Sequence, residues 1–259
     1  METSIPTSFE ESLRYAEFLQ KALFPKQRHF DRIFKDSFVL FKPMHFVSGD
    51  FFWLTERNGL IYIAVGDCAG HGVPGAILSV LMHSLLDYAI LNKKLKKTHK
   101  IIREVNSRFI ESFSSNDTHT PFDNEWVDIT LCCIEPSSQT IFYTSCRREI
   151  LHISGGKHIL HKGNKHPIGD WQYNANSAFS SACFNYNEGD IIYLGTDGFQ
   201  DQIGGQRSKK YQKSRLHNLI IKISDLTLSR QKAELEKELD QWMDGHLQTD
   251  DICIVGIKL

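Results

Sequence analysis

The chain has 259 residues, 41% of them hydrophobic and 24% charged, which is enough apolar material to bury a large core in one domain and excludes a disordered chain. Thirty basic side chains against thirty-one acidic ones leave a formal charge of −1, so no strong field draws the chain to nucleic acid or to a membrane surface. Six cysteines lack CxxC spacing, and Cys68, Cys132, Cys133 and Cys253 lie in or beside apolar strands; this reads as buried thiols of a reducing compartment, not a zinc site or disulfide frame.

Ser8-Phe9-Glu10-Glu11 fits a capping box, and Phe9, Leu13, Ala16, Leu19 and Leu23 follow at helical spacing until Pro25 ends the segment. This is one amphipathic helix, either packing its stripe on the core or serving as a linker, residues 1–25, set apart from the body, 26–259. Residues 38–41, 51–54 and 60–65 read as strands, with Arg57-Asn58-Gly59 as a hairpin turn that sets Asp50 and Asp67 on adjacent strands. The third strand runs into Gly66-Asp67-Cys68-Ala69-Gly70-His71-Gly72-Val73-Pro74-Gly75-Ala76, a glycine loop that opens a helix at Pro74. Such a junction offers oxygen ligands and N–H groups, or is an ordinary turn whose aspartate caps the helix.

The helix over 73–91 contains His83 and Asp87 and is expected to stay out of the bilayer; no signal peptide is visible at Met1. A basic connector, 92–97, leads to a helix over 100–113 with Ile101, Val105 and Phe109 on one face, and then to a polar loop, 114–124. Short strands follow at 126–134, 140–145, 149–153, 157–161, 178–184 and 190–194. Residues 204–210 read as a basic loop, either a mobile surface segment or a flap beside the site. Helices carrying Leu216, Leu219 and Ile220, and Leu235, Leu239 and Trp242, precede the terminal strand 252–257. The expected fold is α+β, a four-layer αββα sandwich of two mainly antiparallel sheets with helices on both outer faces.

Four acidic positions recur at strand ends: Asp50 after Ser48-Gly49, Asp67 in the glycine loop, Asp197 in Gly195-Thr196-Asp197-Gly198, and Asp250 with Asp251 before the last strand. Gathered in one fold they would repel each other without a cation, and an oxygen-only set suits magnesium or manganese better than zinc. Asp251 ranks behind Asp250 because alternation along the strand turns neighbouring side chains apart.

In order and wording these blocks resemble the metal-dependent protein phosphatase (PPM) family, in its bacterial SpoIIE-like branch of serine/threonine phosphatases. The resemblance runs from about Phe18 onward. It includes Leu19-Gln20-Lys21-Ala22-Leu23-Phe24-Pro25, Val47-Ser48-Gly49-Asp50-Phe51-Phe52-Trp53, residues 66–76, Val127-Asp128-Ile129-Thr130-Leu131, Pro167-Ile168-Gly169, Thr196-Asp197-Gly198-Phe199 and Asp250-Asp251.

The resemblance implies two Mn²⁺ or Mg²⁺ ions held by Asp50, Asp67, the backbone carbonyl of Cys68, Asp197 and Asp250. A metal-activated hydroxide would attack phosphoserine or phosphothreonine in line, without a covalent phosphoenzyme. His71 braces the loop or bonds near the nucleophilic water, and Asp128 lies behind the ligands or in a turn. The expected substrate is a phosphorylated STAS-type regulator, and the helix in 1–25 becomes a linker that joins a regulatory domain or forms a homodimer. The expected setting is cytoplasmic, either free or as the C-terminal part of a membrane-attached receptor.

The sequence departs from the family at Tyr143-Thr144-Ser145-Cys146-Arg147-Arg148, where Arg147 or Arg148 would hold phosphate or pair with surface carboxylates. Competing readings are a catalytically silent phosphoprotein-binding module, against which all four aspartates stand, and a hydrolase of small phosphoesters.

Overall fold

The computed structural model describes residues 8–113, 125–170 and 179–259. The polar loop expected at 114–124 and the first residue of the strand expected from 178 lie outside these. Helix α1 (Phe9–Leu23) starts on the expected capping box, in which the Ser8 hydroxyl accepts from the Glu11 N–H and the Glu11 carboxylate from the Ser8 N–H. Its apolar stripe faces solvent. Phe9, Phe18, Leu19 and Leu23 are exposed, while the buried side chain is Gln20. The Gln20 amide donates to the Ser48 carbonyl at 2.7 Å and to the Ser79 hydroxyl at 2.9 Å, and it accepts from the Ser48 N–H at 3.0 Å. Gln20 is the buried anchor of the helix, Leu13 and Ala16 are half-buried, and most of the stripe stays outside the core, against the core-packing reading.

After α2 (Gln27–Ile33), which buries Phe30, the chain builds two five-stranded antiparallel sheets. One runs β1 (Asp36–Lys42), β12 (Ile252–Lys258), β9 (Ile191–Gly195), β6 (Glu149–Ser154), β7 (Lys157–Lys162). The other runs β2 (Asp50–Arg57), β3 (Leu60–Cys68), β4 (Val127–Glu135), β5 (Thr140–Cys146), β8 (Ala182–Asn185). The expected turn joins β2 to β3, with Asn58 at φ 53° and Gly59 at φ 73°, the left-handed pair of a type I′ hairpin. A small hairpin, β10 (Ile203–Gly204) with β11 (Lys209–Lys210), seats Gly204 and Gly205 against Trp242, so the basic segment is anchored at its base and is not a free loop.

Helices α3 (Gly72–Asp87) and α4 (Thr98–Phe113) cover the β2–β8 sheet, and α6 (Lys213–Ile223) and α7 (Leu228–Met243) cover the other. This is the expected αββα order. Ile192, Leu194, Cys253, Val255 and Ile257 point between the sheets, as Phe41 does toward Phe52, whereas Ile191, Tyr193, Ile252 and Ile254 point at α6 and α7. Period-two alternation thus feeds two apolar layers from one sheet. Each fully buried Phe or Leu contributes about 1.5–3 kcal/mol to them.

The helix continuing through Asn92 is long and apolar enough to cross a membrane by composition alone, with mean hydropathy 1.5, yet half of that stretch is buried within the domain. His83 is buried, whereas Asp87 is exposed. His83 stacks on Phe24, and Asp87 accepts from Trp53 Nε1 at 3.1 Å.

Candidate active site

The hairpin register places Asp50 opposite Asp67, and the next pair places Asp67 opposite Asp128. Directly paired residues share a face, so three carboxylates form a row across the end of one sheet. The other sheet supplies the facing groups. Asp197 follows β9, and Asp250 and Asp251 precede β12. Two close approaches fix this meeting: a Cβ on Gly198 would fall 1.9 Å from the Asp251 carbonyl, and one on Gly75 would fall 2.3 Å from the Gly70 carbonyl. Only glycine lets the β9–α5 turn (α5, Gly198–Asp201) lie against the start of β12, or lets α3 lie against its own loop.

Each side chain has a distinct setting. Asp50 is buried, and its Oδ2 accepts from the Thr196 hydroxyl at 2.6 Å; that hydroxyl in turn accepts from the Cys253 N–H at 3.0 Å. Asp251 is buried and already engaged, accepting from the Met44 N–H at 2.7 Å and the Gly49 N–H at 2.8 Å, so it braces the loop ahead of β2. Asp250 is half-buried and caps the Asp251 N–H at 2.8 Å. Cys68 ends β3 with its N–H on the Gly49 carbonyl at 3.3 Å, which sets its own carbonyl beside Gly49. His71 is exposed at the start of α3, its ring 5.2 Å from that of His45.

At the centre is Arg148. Its Nη2 donates to Asp67 Oδ2 and lies 3.3 Å from Asp128 Oδ2, and its Nη1 lies 3.0 Å from Asp197 Oδ2. Its neighbour Arg147 turns outward, stacking 5.0 Å above the Trp126 ring with Nε 3.6 Å from Asp128 Oδ1. Of the two arginines offered as candidates, Arg147 is the peripheral one. Arg148 is the inward member of the pair, and Thr196, inside the block that carries Asp197, takes a role the sequence reading did not give it, as the hydrogen-bond partner of Asp50.

Electrostatics follow from burial and crowding. Burial, and then the Asp67 charge, push Asp50 well up from its ordinary value. Burial raises Asp67 to about 8 despite Arg148, with Asp197 and Asp250 adding repulsion. Asp128 is raised by burial to about 6. Burial would raise Asp197 too, but its contact with Arg148 outweighs this and holds the carboxyl below its usual range. Asp250 is raised, chiefly by burial.

Such a cluster calls for positive charge. Among the described residues no three metal-binding side chains close to coordination spacing. The guanidinium of Arg148 stands where a cation would sit, and the buried Asp128 Oδ1 has no hydrogen-bond partner. Oxygen donors from both sheets, outnumbering the two arginines beside them, fit hard divalent ions.

The αββα fold with an acidic row at the seam of its sheets is that of a PP2C-type serine/threonine phosphatase domain. The chain is similar over 96% of its length, and 96% of the other's, to the SiaA PP2C domain of Pseudomonas aeruginosa, at 26% identity and a TM-score of 0.85. It also matches the phosphatase domain of SpoIIE from Bacillus subtilis, at 15% identity and a TM-score of 0.67, covering 86% of this chain and 62% of that one. RsbX, solved in complex with magnesium, matches at 14% identity and a TM-score of 0.59 over 86% of this chain and 94% of its own. The latter two share the fold. No curated protein sequence matches. The family description of stage II sporulation protein E (SpoIIE) matches residues 57–259, and the chain belongs to that family.

Proposed function

We propose that this domain is a Mg²⁺- or Mn²⁺-dependent phosphatase that removes phosphate from serine or threonine of a STAS-type regulator in the cytoplasm. The observation that carries the reading is the cross-strand row Asp50, Asp67, Asp128 facing Asp197 and Asp250, with more buried negative charge than Arg148 can balance. Asp50, Asp67, Asp197, Asp250 and the Cys68 carbonyl are the groups that would hold two ions. When bound, such ions acidify water and offset the charge of the phosphoryl oxygens.

The chain's own residues do the rest. Thr196 fixes the Asp50 carboxylate through its 2.6 Å hydrogen bond, so one oxygen is oriented and the other left for a ligand. Asp251 holds the 44–49 loop by its two main-chain contacts, which keeps Asp50 at the start of β2 in register. Arg147, exposed at the rim and stacked on Trp126, is placed to meet an incoming phosphorylated segment. The STAS class of substrate rests on the family resemblance, and magnesium in RsbX supports the choice of ion.

Residues 1–25 belong outside the catalytic body, 26–259, as a linker whose exposed Phe9, Phe18, Leu19 and Leu23 pair with a second copy. As a test, hydrolysis of p-nitrophenyl phosphate and of a phosphorylated STAS protein should require Mn²⁺ or Mg²⁺ and vanish in Asp67→Ala. Activity that persists in excess chelator, or in that variant, contradicts the proposal.

A further inference from the structure

Arg148 has an unusual placement for the most basic side chain of the alphabet. Its side chain is only 10% exposed, and it reaches carboxylates on both sheets: Asp67 and Asp128 on one, Asp197 on the other. Arg147 at φ 58°, in the left-handed region, makes the turn between β5 and β6 that sends Arg148 inward while Arg147 goes out. Both terminal nitrogens are engaged, but Nε is buried with no hydrogen-bond partner. A guanidinium buried for its own stability would use that donor as well. Its position is set by the carboxylates, which it serves as their counter-charge.

Removing that charge from a metal-free chain leaves buried carboxylates repelling one another, a costly state that must be relieved by protons or by another cation. The oxygens it uses, Asp67 Oδ2 and Asp197 Oδ2, belong to two of the groups offered to divalent ions in the proposed function, on which this inference rests. A guanidinium and a small dication cannot share them at bonding distance. Arg148 also borders a cleft beneath α6, walled by Glu149, Gln200, Lys213 and His217. The Glu149 carboxylate there, 2.8 Å from Lys213 Nζ, gives a displaced guanidinium an acidic neighbour.

We propose that Arg148 is an internal counter-cation: it holds the two halves of the acidic cluster together in the metal-free chain and competes with the divalent ions for Asp67 and Asp197, so that it sets metal affinity. A purely structural arginine would do the opposite, since its loss would loosen the site and weaken metal binding.

The test is calorimetric titration of Mn²⁺ into the full chain, alongside thermal unfolding in chelator and in saturating Mn²⁺. Arg148→Gln is expected to bind Mn²⁺ about tenfold or more tightly than the wild type, with Arg148→Lys in between. In chelator Arg148→Gln should melt below the wild type and gain more from Mn²⁺. Equal or weaker binding in Arg148→Gln overturns the proposal; if that variant does not fold in chelator, equal or weaker binding in Arg148→Lys does so. Asp67→Asn separates the two readings. Binding that is lost in Asp67→Asn but unchanged in both arginine variants refutes the role of Arg148 and leaves the metal site standing. No binding to any of these chains removes both.

Discussion

Two buried polar clusters lie in this domain, and they are built on opposite principles. At the outer part of one sheet, His152 donates or accepts at both ring nitrogens, 3.0 Å from Asp190 Oδ2 and 3.2 Å from His161 Nε2, while Asp190 also accepts from the Asn187 N–H at 2.8 Å. His161 stacks on Phe184 with ring centroids 3.7 Å apart. Every group there has a neighbour that suits it. At the seam of the sheets, Asp67, Asp128 and Asp197 contact Arg148 with Asp50 and Asp250 beside them, one buried carboxylate oxygen has no hydrogen bond, and burial drives most of the carboxyls up. A satisfied cluster stabilises a fold; an unbalanced one costs stability, and it persists where a ligand completes it.

The largest expected effect breaks the comparison at the seam. Asp197→Ala should lower Mn²⁺-dependent phosphatase activity by about 100-fold or more while the fold is kept, as read by kinetics beside circular dichroism. Next comes the balanced cluster, where Asp190→Ala strips a buried carboxylate that accepts two hydrogen bonds. A loss of ~2–4 kcal/mol in denaturant unfolding is expected, with activity per folded molecule unchanged.

The seam should respond with the reverse sign. Asp67 binds its proton more tightly in the folded chain, at about 8, than at its ordinary value of 3.8. Its contribution is therefore fully present below pH 3.8 and is lost as pH rises through 8. In chelator, stability should fall across that window, and Asp67→Asn should flatten the fall and be the more stable chain above it by ~1–2 kcal/mol. A wild-type chain whose chelated stability rises over the same window would contradict the crowding described here. Smallest of all is α1. Phe18→Glu with Leu23→Glu should leave unfolding within ~0.5 kcal/mol of the wild type, because both side chains are exposed, yet abolish self-association in analytical ultracentrifugation.

Much of the fold was readable because period-two alternation and turn chemistry are local: the Asn58-Gly59 hairpin alone determines that Asp50 faces Asp67. The strand-end positions of Asp197 and Asp250 were readable for the same reason. Asp128 was half-readable, since its place at the start of a strand was plain but its pairing with Asp67 depends on a partner strand sixty residues away in the chain. Arg148 was not, because a doublet of arginines after a strand does not say which one a left-handed residue sends inward. The helix before Pro25 misled in the simplest physical way. An amphipathic stripe announces that an apolar face will be covered, not by what, and here the domain takes the Gln20 side of α1 and leaves the phenylalanines outside.

The central claim is that carboxylates from both sheets together grip divalent ions. Anomalous diffraction from crystals grown in Mn²⁺ tests it most directly. Two manganese peaks bonded by Asp50, Asp67, Asp197 and Asp250, with the Arg148 guanidinium moved off Asp67 and Asp197, are the expected result. Manganese bound elsewhere, or no peak among these residues with the arginine still in place, would contradict it.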